Sequence, residues 1–128
     1  MECAAGFRKK LEVFGDDYST IDGTGVRDYI HVSDLARGHL DSIDYLVNKN
    51  KNLIINLGTG VGLSVLEVIN ATEKISNKSI NYSISSRREG DPDTVIASAK
   101  KAEKLINWVP KKSDLENIIS STWEMYNK

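Results

Sequence analysis

Apolar and polar positions follow two rhythms along this 128-residue chain and switch between them several times. Leu11-Glu12-Val13-Phe14 alternates and stops at Gly15, which predicts a short strand. Residues 15–25 are polar and rich in turn formers, a predicted loop. The period is again two from Arg27 onward. Asp28, Ile30 and Val32 share one face of that predicted strand, and Arg27, Tyr29 and His31 share the other. Ser33 then suits a helix N-cap, and Asp34 places negative charge in the first turn, where the helix dipole favours it. Ala36, Leu40, Ile43 and Val47 recur at helical spacing.

Leu53-Ile54-Ile55-Asn56-Leu57 is a nearly continuous apolar run, the pattern of a strand covered on both faces. It ends in Gly58-Thr59-Gly60-Val61-Gly62. Ser64 and Glu67 form a capping box, and Val65, Val68, Ile69 and Thr72 give the face of the helix that follows. Ile80, Tyr82 and Ile84 alternate, which predicts another strand. A loop carries Arg87 to Asp93. Ser98 suits the cap of a short helix through Ile106, closed by Asn107 in a left-handed conformation. Ser113 and Glu116 make a second capping box before a terminal helix striped by Leu115, Ile118, Ile119, Thr122 and Tyr126. The predicted order of strand, strand, helix, strand, helix, strand, helix, helix is an α/β arrangement, with about four helices among short strands. Residues 1–128 are read as one domain.

Composition narrows the function. The net charge of −1 argues against nonspecific nucleic-acid binding and against an anionic-membrane patch. No run approaches the length of a membrane span, and no basic segment followed by an apolar one opens the chain. Cys3 is the single cysteine, so no internal disulfide can form; the expected setting is cytoplasmic.

Few residues offer chemistry. Gly58-Thr59-Gly60-Val61-Gly62 invites a dinucleotide-binding reading, but the position for the third glycine is Leu63 and no acidic residue lies about twenty positions on. A tight strand-to-helix turn is the better reading. His31 and His39 lack a third converging ligand for a metal. Tyr45 and Lys49 have the Y-x-x-x-K spacing of short-chain dehydrogenases, but they fall at the polar end of a helix with no cofactor fold before it. No catalytic residue is assigned. Arg27 and Arg88 remain. Each is either a surface charge or half of a site for a doubly charged anion, since a guanidinium stays charged and grips phosphate oxygens through a fixed fork of donors.

Several motifs in order resemble the UDP-glucose 4-epimerase family of the extended short-chain dehydrogenase/reductase superfamily. They are Val13-Phe14-Gly15-Asp16-Asp17-Tyr18, Gly23-Thr24-Gly25-Val26-Arg27-Asp28-Tyr29-Ile30-His31-Val32, Asn56-Leu57-Gly58-Thr59-Gly60, Arg87-Arg88-Glu89-Gly90-Asp91 and the late Trp108. The resemblance implies the C-terminal, substrate-binding part of such an epimerase, without the N-terminal NAD-binding Rossmann domain that carries the catalytic tyrosine and lysine. It implies a UDP-hexose ligand, with the backbone of Glu12, Val13 and Phe14 at the uracil, Arg27 and Arg88 at the diphosphate and Asp91 at a ribose hydroxyl. Val95 would line the hexose pocket, where a residue smaller than tyrosine leaves room for an N-acetyl group. NAD would belong to the full-length family and not to this chain alone, which would then be inactive by itself. Leu53–Leu57 would pair with the sheet of the cofactor domain, so the expected partners are a missing NAD-binding half or a second copy. The alternatives are a non-catalytic UDP-sugar-binding module, a relic that binds nothing, and a fragment of a related nucleotide-sugar dehydratase or decarboxylase.

Overall fold

The computed structural model describes residues 1–127 and is α/β, with two small sheets and four helices. Strand β1 (Leu11–Phe14) pairs in parallel with β4 (Tyr82–Ser85), Leu11 opposite Tyr82 and Val13 opposite Ile84. The second sheet has the order β3-β2-β5, with β2 (Val26–Arg27) between an antiparallel β3 (Leu63–Ser64) and a parallel β5 (Thr94–Val95). The helices are α1 (Val32–Lys49), α2 (Val65–Ser76), α3 (Lys100–Ile106) and α4 (Leu115–Tyr126).

Helices α2 and α4 pack on each other. The core beneath them joins Val13 of β1 and Ile69 of α2 to Ala4 and Ile80, with Leu66 and Trp123 packed alongside. The Ser64–Glu67 capping box starts α2 as its sequence predicts, satisfying amides that would otherwise lack partners. Trp108 is buried, and its indole N–H donates to the Asp34 carbonyl at 2.9 Å, tying the segment after α3 to the first turn of α1.

Three predicted caps shift, two of them because a neighbouring group takes the bond. Ser33 is not the cap of α1. Its amide donates to His31 Nδ1, so the helix begins at Val32. Ser113 does not cap α4, because its hydroxyl donates to the Asp34 carboxylate at 2.7 Å, and Asp114 caps instead by accepting from Asn117 N–H. Ser98 is displaced by Ala99, which makes no side-chain cap bond. Asn107 does take the left-handed closing position.

Larger departures concern what is covered. The strand predicted from Arg27 to Val32 stops at Arg27. Beyond it the Asp28 amide still donates to the Val95 carbonyl at 3.1 Å, but the Ala97 amide bonds the Asp28 side chain and no further backbone pairing follows. The Tyr82 and Ile84 side chains stay exposed on β4, because nothing among the described residues covers that face of the two-stranded sheet. No strand forms at Leu53–Leu57, and Ile54 is 82% exposed. An extended run needs a neighbour to supply ladder bonds, and no other described strand lies beside it. The apolar stripe of α1 is also solvent-facing. Leu40, Ile43 and Val47 are exposed, while Asp34 and Gly38 on the opposite side are buried.

Candidate functional site

Arg27 is placed by a turn with little freedom. Asp22 Oδ1 accepts from the Thr24 amide at 2.9 Å and the Thr24 hydroxyl at 2.7 Å, while Oδ2 accepts from the Ser64 hydroxyl. Gly23 between them has φ +78°, and a Cβ there would fall 1.9 Å from the Asp16 carbonyl oxygen. Only glycine fits. Burial works against the Asp22 carboxylate, but the bonds from Ser64 and Thr24 outweigh it and hold its pKa below the usual value. Thr24 itself is fully buried. The turn delivers Arg27 to β2, opposite Leu63 on one side and Val95 on the other. Its Nη1 donates to the Val26 carbonyl at 2.8 Å.

Arg88 comes from the loop after β4. Its Nε donates to Asp91 Oδ2 at 2.9 Å, its Nη2 lies 2.8 Å from the same oxygen, and its guanidinium carbon stands 4.8 Å from the centre of the Phe14 ring. Arg87 next to it serves another purpose. It bonds Asp17, approaches Asp93 at 3.7 Å and lies 4.1 Å over the Tyr18 ring, closing the 15–25 loop onto the chain after β4. The Asp17 bond raises the Arg87 pKa despite partial desolvation.

Arg27 and Arg88 line one cavity of about 230 Å³ with Glu12, Val13, Phe14 and Asp91. Six of the seven residues singled out in the sequence therefore meet around one space. Val95 does not line it; it sits on β5 directly across from Arg27, about half exposed. Tyr18, Tyr29, Gly25 and Val65 complete the wall and were not singled out. Tyr29 shares the Arg27 face in the period-two pattern, so a signal for it existed. Burial raises the Tyr29 pKa, opposed by the Arg27 charge, and keeps the phenol neutral. Tyr18 is buried because of the fold of the 15–25 loop, which carries no periodic signal.

The cavity walls carry both signs of charge. Glu12 and Asp91 offset the guanidinium groups, and Glu12 also accepts from the Ser85 hydroxyl at 2.8 Å. A dianion entering here would meet two guanidinium groups whose charge Glu12 and Asp91 formally balance, and would have to draw Arg88 away from Asp91.

A profile of the family described as GDP-mannose 4,6 dehydratase matches residues 1–122.

The chain belongs to that family.

Within it, the chain is similar to UDP-glucose 4-epimerases. It is 43% identical to the one from Streptococcus mutans over 127 residues, which is 99% of this chain and 38% of that protein. Two solved structures are also alike. The Stenotrophomonas maltophila UDP-glucose-4-epimerase, with bound NAD and formylated UDP-arabinopyranose, is 40% identical with a TM-score of 0.92, covering 98% of this chain and 37% of that one. The Campylobacter jejuni UDP-Glc/GlcNAc 4-epimerase is 45% identical with a TM-score of 0.87, covering 98% and 38%. The chain thus spans a little over a third of the relatives' length and corresponds to a C-terminal portion of them.

NAD is present in the Stenotrophomonas structure. The glycine loop of this family member does not fit that cofactor's pyrophosphate. The Thr59 and Gly60 amides, which would have to point at phosphate oxygens, donate instead to the Asp28 carboxylate at 2.9 and 3.0 Å. Among the described residues no group of three or more His, Cys, Asp or Glu side chains could hold a metal, and no helix is long and apolar enough to cross a membrane.

Proposed function

We propose that this chain forms the UDP-hexose-binding part of a UDP-glucose 4-epimerase, the enzyme that interconverts UDP-glucose and UDP-galactose through a 4-keto intermediate. The observation that carries the reading is the cavity shared by Arg27 and Arg88. Two guanidinium groups around a small space suit a diphosphate better than a monoanion, and the β1 backbone at the cavity wall offers amides and carbonyls to a base edge. Asp91, at the same wall, is an acceptor for a ribose hydroxyl once Arg88 turns toward phosphate. The likeness to the Stenotrophomonas epimerase that holds formylated UDP-arabinopyranose supports the ligand class.

Residues 1–128 act in this reading as one substrate-binding domain. Hydride transfer and hydroxyl deprotonation would fall to a separate NAD-binding portion, because among the described residues no tyrosine–lysine pair lines the cavity. Tyr45 and Lys49 line a different depression, beside Asn107. The exposed stripe of α1 and the unpaired run at 53–57 are the faces such a cofactor portion would cover. Val95, two positions before Ala97 and across from Arg27, would border the hexose, and its small side chain would admit an N-acetyl group.

Calorimetry of the chain with UDP tests the reading. Binding should weaken by ~1.5–3 kcal/mol in Arg27→Ala and again in Arg88→Ala, the usual cost of losing a charge-assisted bond. A chain that does not bind UDP, or that binds it equally without either arginine, contradicts the reading.

A further inference from the structure

Asp28 is the most heavily bonded side chain near the cavity, yet it does not line it. Its Oδ1 accepts from the Thr59 amide at 2.9 Å and the Thr59 hydroxyl at 2.6 Å. Its Oδ2 accepts from the Gly60 amide at 3.0 Å and the Ala97 amide at 3.2 Å. Burial opposes the charge, but these bonds outweigh it and keep the carboxylate ionised.

The placement of those donors matters more than their number. Arg27 precedes Asp28, and β2 has only two residues. The Val26 amide donates to the Asp93 carbonyl at 2.8 Å and the Asp28 amide to the Val95 carbonyl at 3.1 Å. Two residues past the end of β5, the Ala97 amide bonds the Asp28 carboxylate. The carboxylate thus extends the β2–β5 ladder by a side-chain rung just where the backbone pairing stops. The same group clasps the Gly58–Gly60 loop from the other side. A Cβ on Gly58 would meet Asp28 Oδ2 at 2.7 Å and the Ala97 Cβ at 2.6 Å, so the three segments touch with no room for a side chain. Val95 lies within two residues of Ala97 and pairs with Arg27.

We propose that Asp28 is the positioning residue that sets Arg27 for phosphate. The proposal rests on the UDP reading above, and it names the device that fixes one of the two guanidinium groups. Without the rung, β2 and β5 are held by a few bonds at a sheet two residues wide, and the Arg27 side chain loses its fixed origin. The β1 backbone and Phe14 at the opposite wall are untouched, because Asp28 makes no bond to β1. Loss of Asp28 should therefore weaken phosphate contacts selectively and leave recognition of the base alone.

The test compares UDP with uridine on the full chain, by calorimetry or NMR titration, in wild type, Asp28→Asn, Thr59→Val and Asp34→Asn. Asp34 is a second buried carboxylate, bonded to the Lys111 and Lys112 amides away from the cavity, and controls for loss of a carboxylate knot as such. In Asp28→Asn an amide replaces an acceptor that faces N–H donors, and UDP affinity should fall five- to tenfold with uridine affinity unchanged. Thr59→Val removes the 2.6 Å donor while keeping the shape, and gives a smaller loss of the same selectivity, readable even if Asp28→Asn does not fold. Asp34→Asn should leave the UDP-to-uridine ratio at the wild-type value. Equal UDP affinity in wild type and both Asp28-knot variants overturns the inference and leaves the UDP reading standing. A parallel loss of UDP and uridine overturns it too, by showing a purely structural role. Absence of UDP binding by the folded wild type overturns the UDP reading and the inference with it.

Discussion

The Arg88 guanidinium carbon lies 4.8 Å from the centre of the Phe14 ring, so the charge proposed for phosphate rests on the residue that ends β1. The stacking orients the fork while Asp91 holds it from one edge at 2.8 Å. Arg88 is more than half exposed, so this arrangement adds little to stability. It should matter to binding. Phe14→Leu keeps bulk and removes the aromatic face. We expect a few-fold weaker UDP binding by calorimetry, a melting temperature close to wild type, and no change beyond that of Arg88→Ala when the two are combined.

Gly23 is predicted to be irreplaceable. Its φ of +78° and the 1.9 Å approach of an added Cβ to the Asp16 carbonyl mean that Gly23→Ala must move backbone, not a side chain. Thermal denaturation should show a loss of more than about 1 kcal/mol, since an alanine with positive φ is strained even before the clash. Gly90→Ala is the contrast. It also has positive φ, but open space surrounds it, so its cost should be the smaller of the two.

Acid should unfold the protein through its knotted carboxylates. Asp22, Asp28 and Asp34 all have pKa values held below the usual 3.8, in each case by hydrogen bonds that outweigh burial. A carboxyl with a depressed folded pKa contributes stability that is complete above its unfolded pKa and is lost as pH falls through the folded one. Denaturant midpoints should therefore be level down to about pH 5 and drop below about pH 4. Asp34→Asn should lower stability at neutral pH and flatten that acid limb.

Local sequence carried much of this fold and less of its boundaries. The Ser64–Glu67 box and Asn107 were legible because their bonds lie within a few residues. His31 as a cap was not, since Ser33 and His31 compete for the same helix start and Ser113 and Ser121, more than eighty positions on, fix the histidine ring and backbone. β5 was invisible because two exposed residues carry no period. Arg27 and Arg88 were legible as guanidinium groups suited to a dianion and Asp91 only through motif resemblance, whereas Tyr29 was missed although it shares the Arg27 face.

The apolar pattern of α1 and of residues 53–57 was legible in the sequence, although the strand expected at 53–57 does not form. Its face is complete in sequence but has no cover among the described residues. The isolated chain should self-associate through this face at micromolar concentration or melt at low temperature. Sedimentation velocity checks it. Leu40→Glu with Val47→Lys, both at exposed positions, should shift the chain toward monomer with little cost in stability. Unchanged sedimentation of that variant would place the contact elsewhere.

A structure of the chain with UDP tests the central claim most directly. It should show both the Arg27 and Arg88 guanidinium groups within hydrogen-bond distance of diphosphate oxygens, Asp91 freed toward the ribose, and the uracil against the backbone of residues 12–14. UDP bound outside that cavity, or held by one arginine while the other keeps its present partners, would contradict the account.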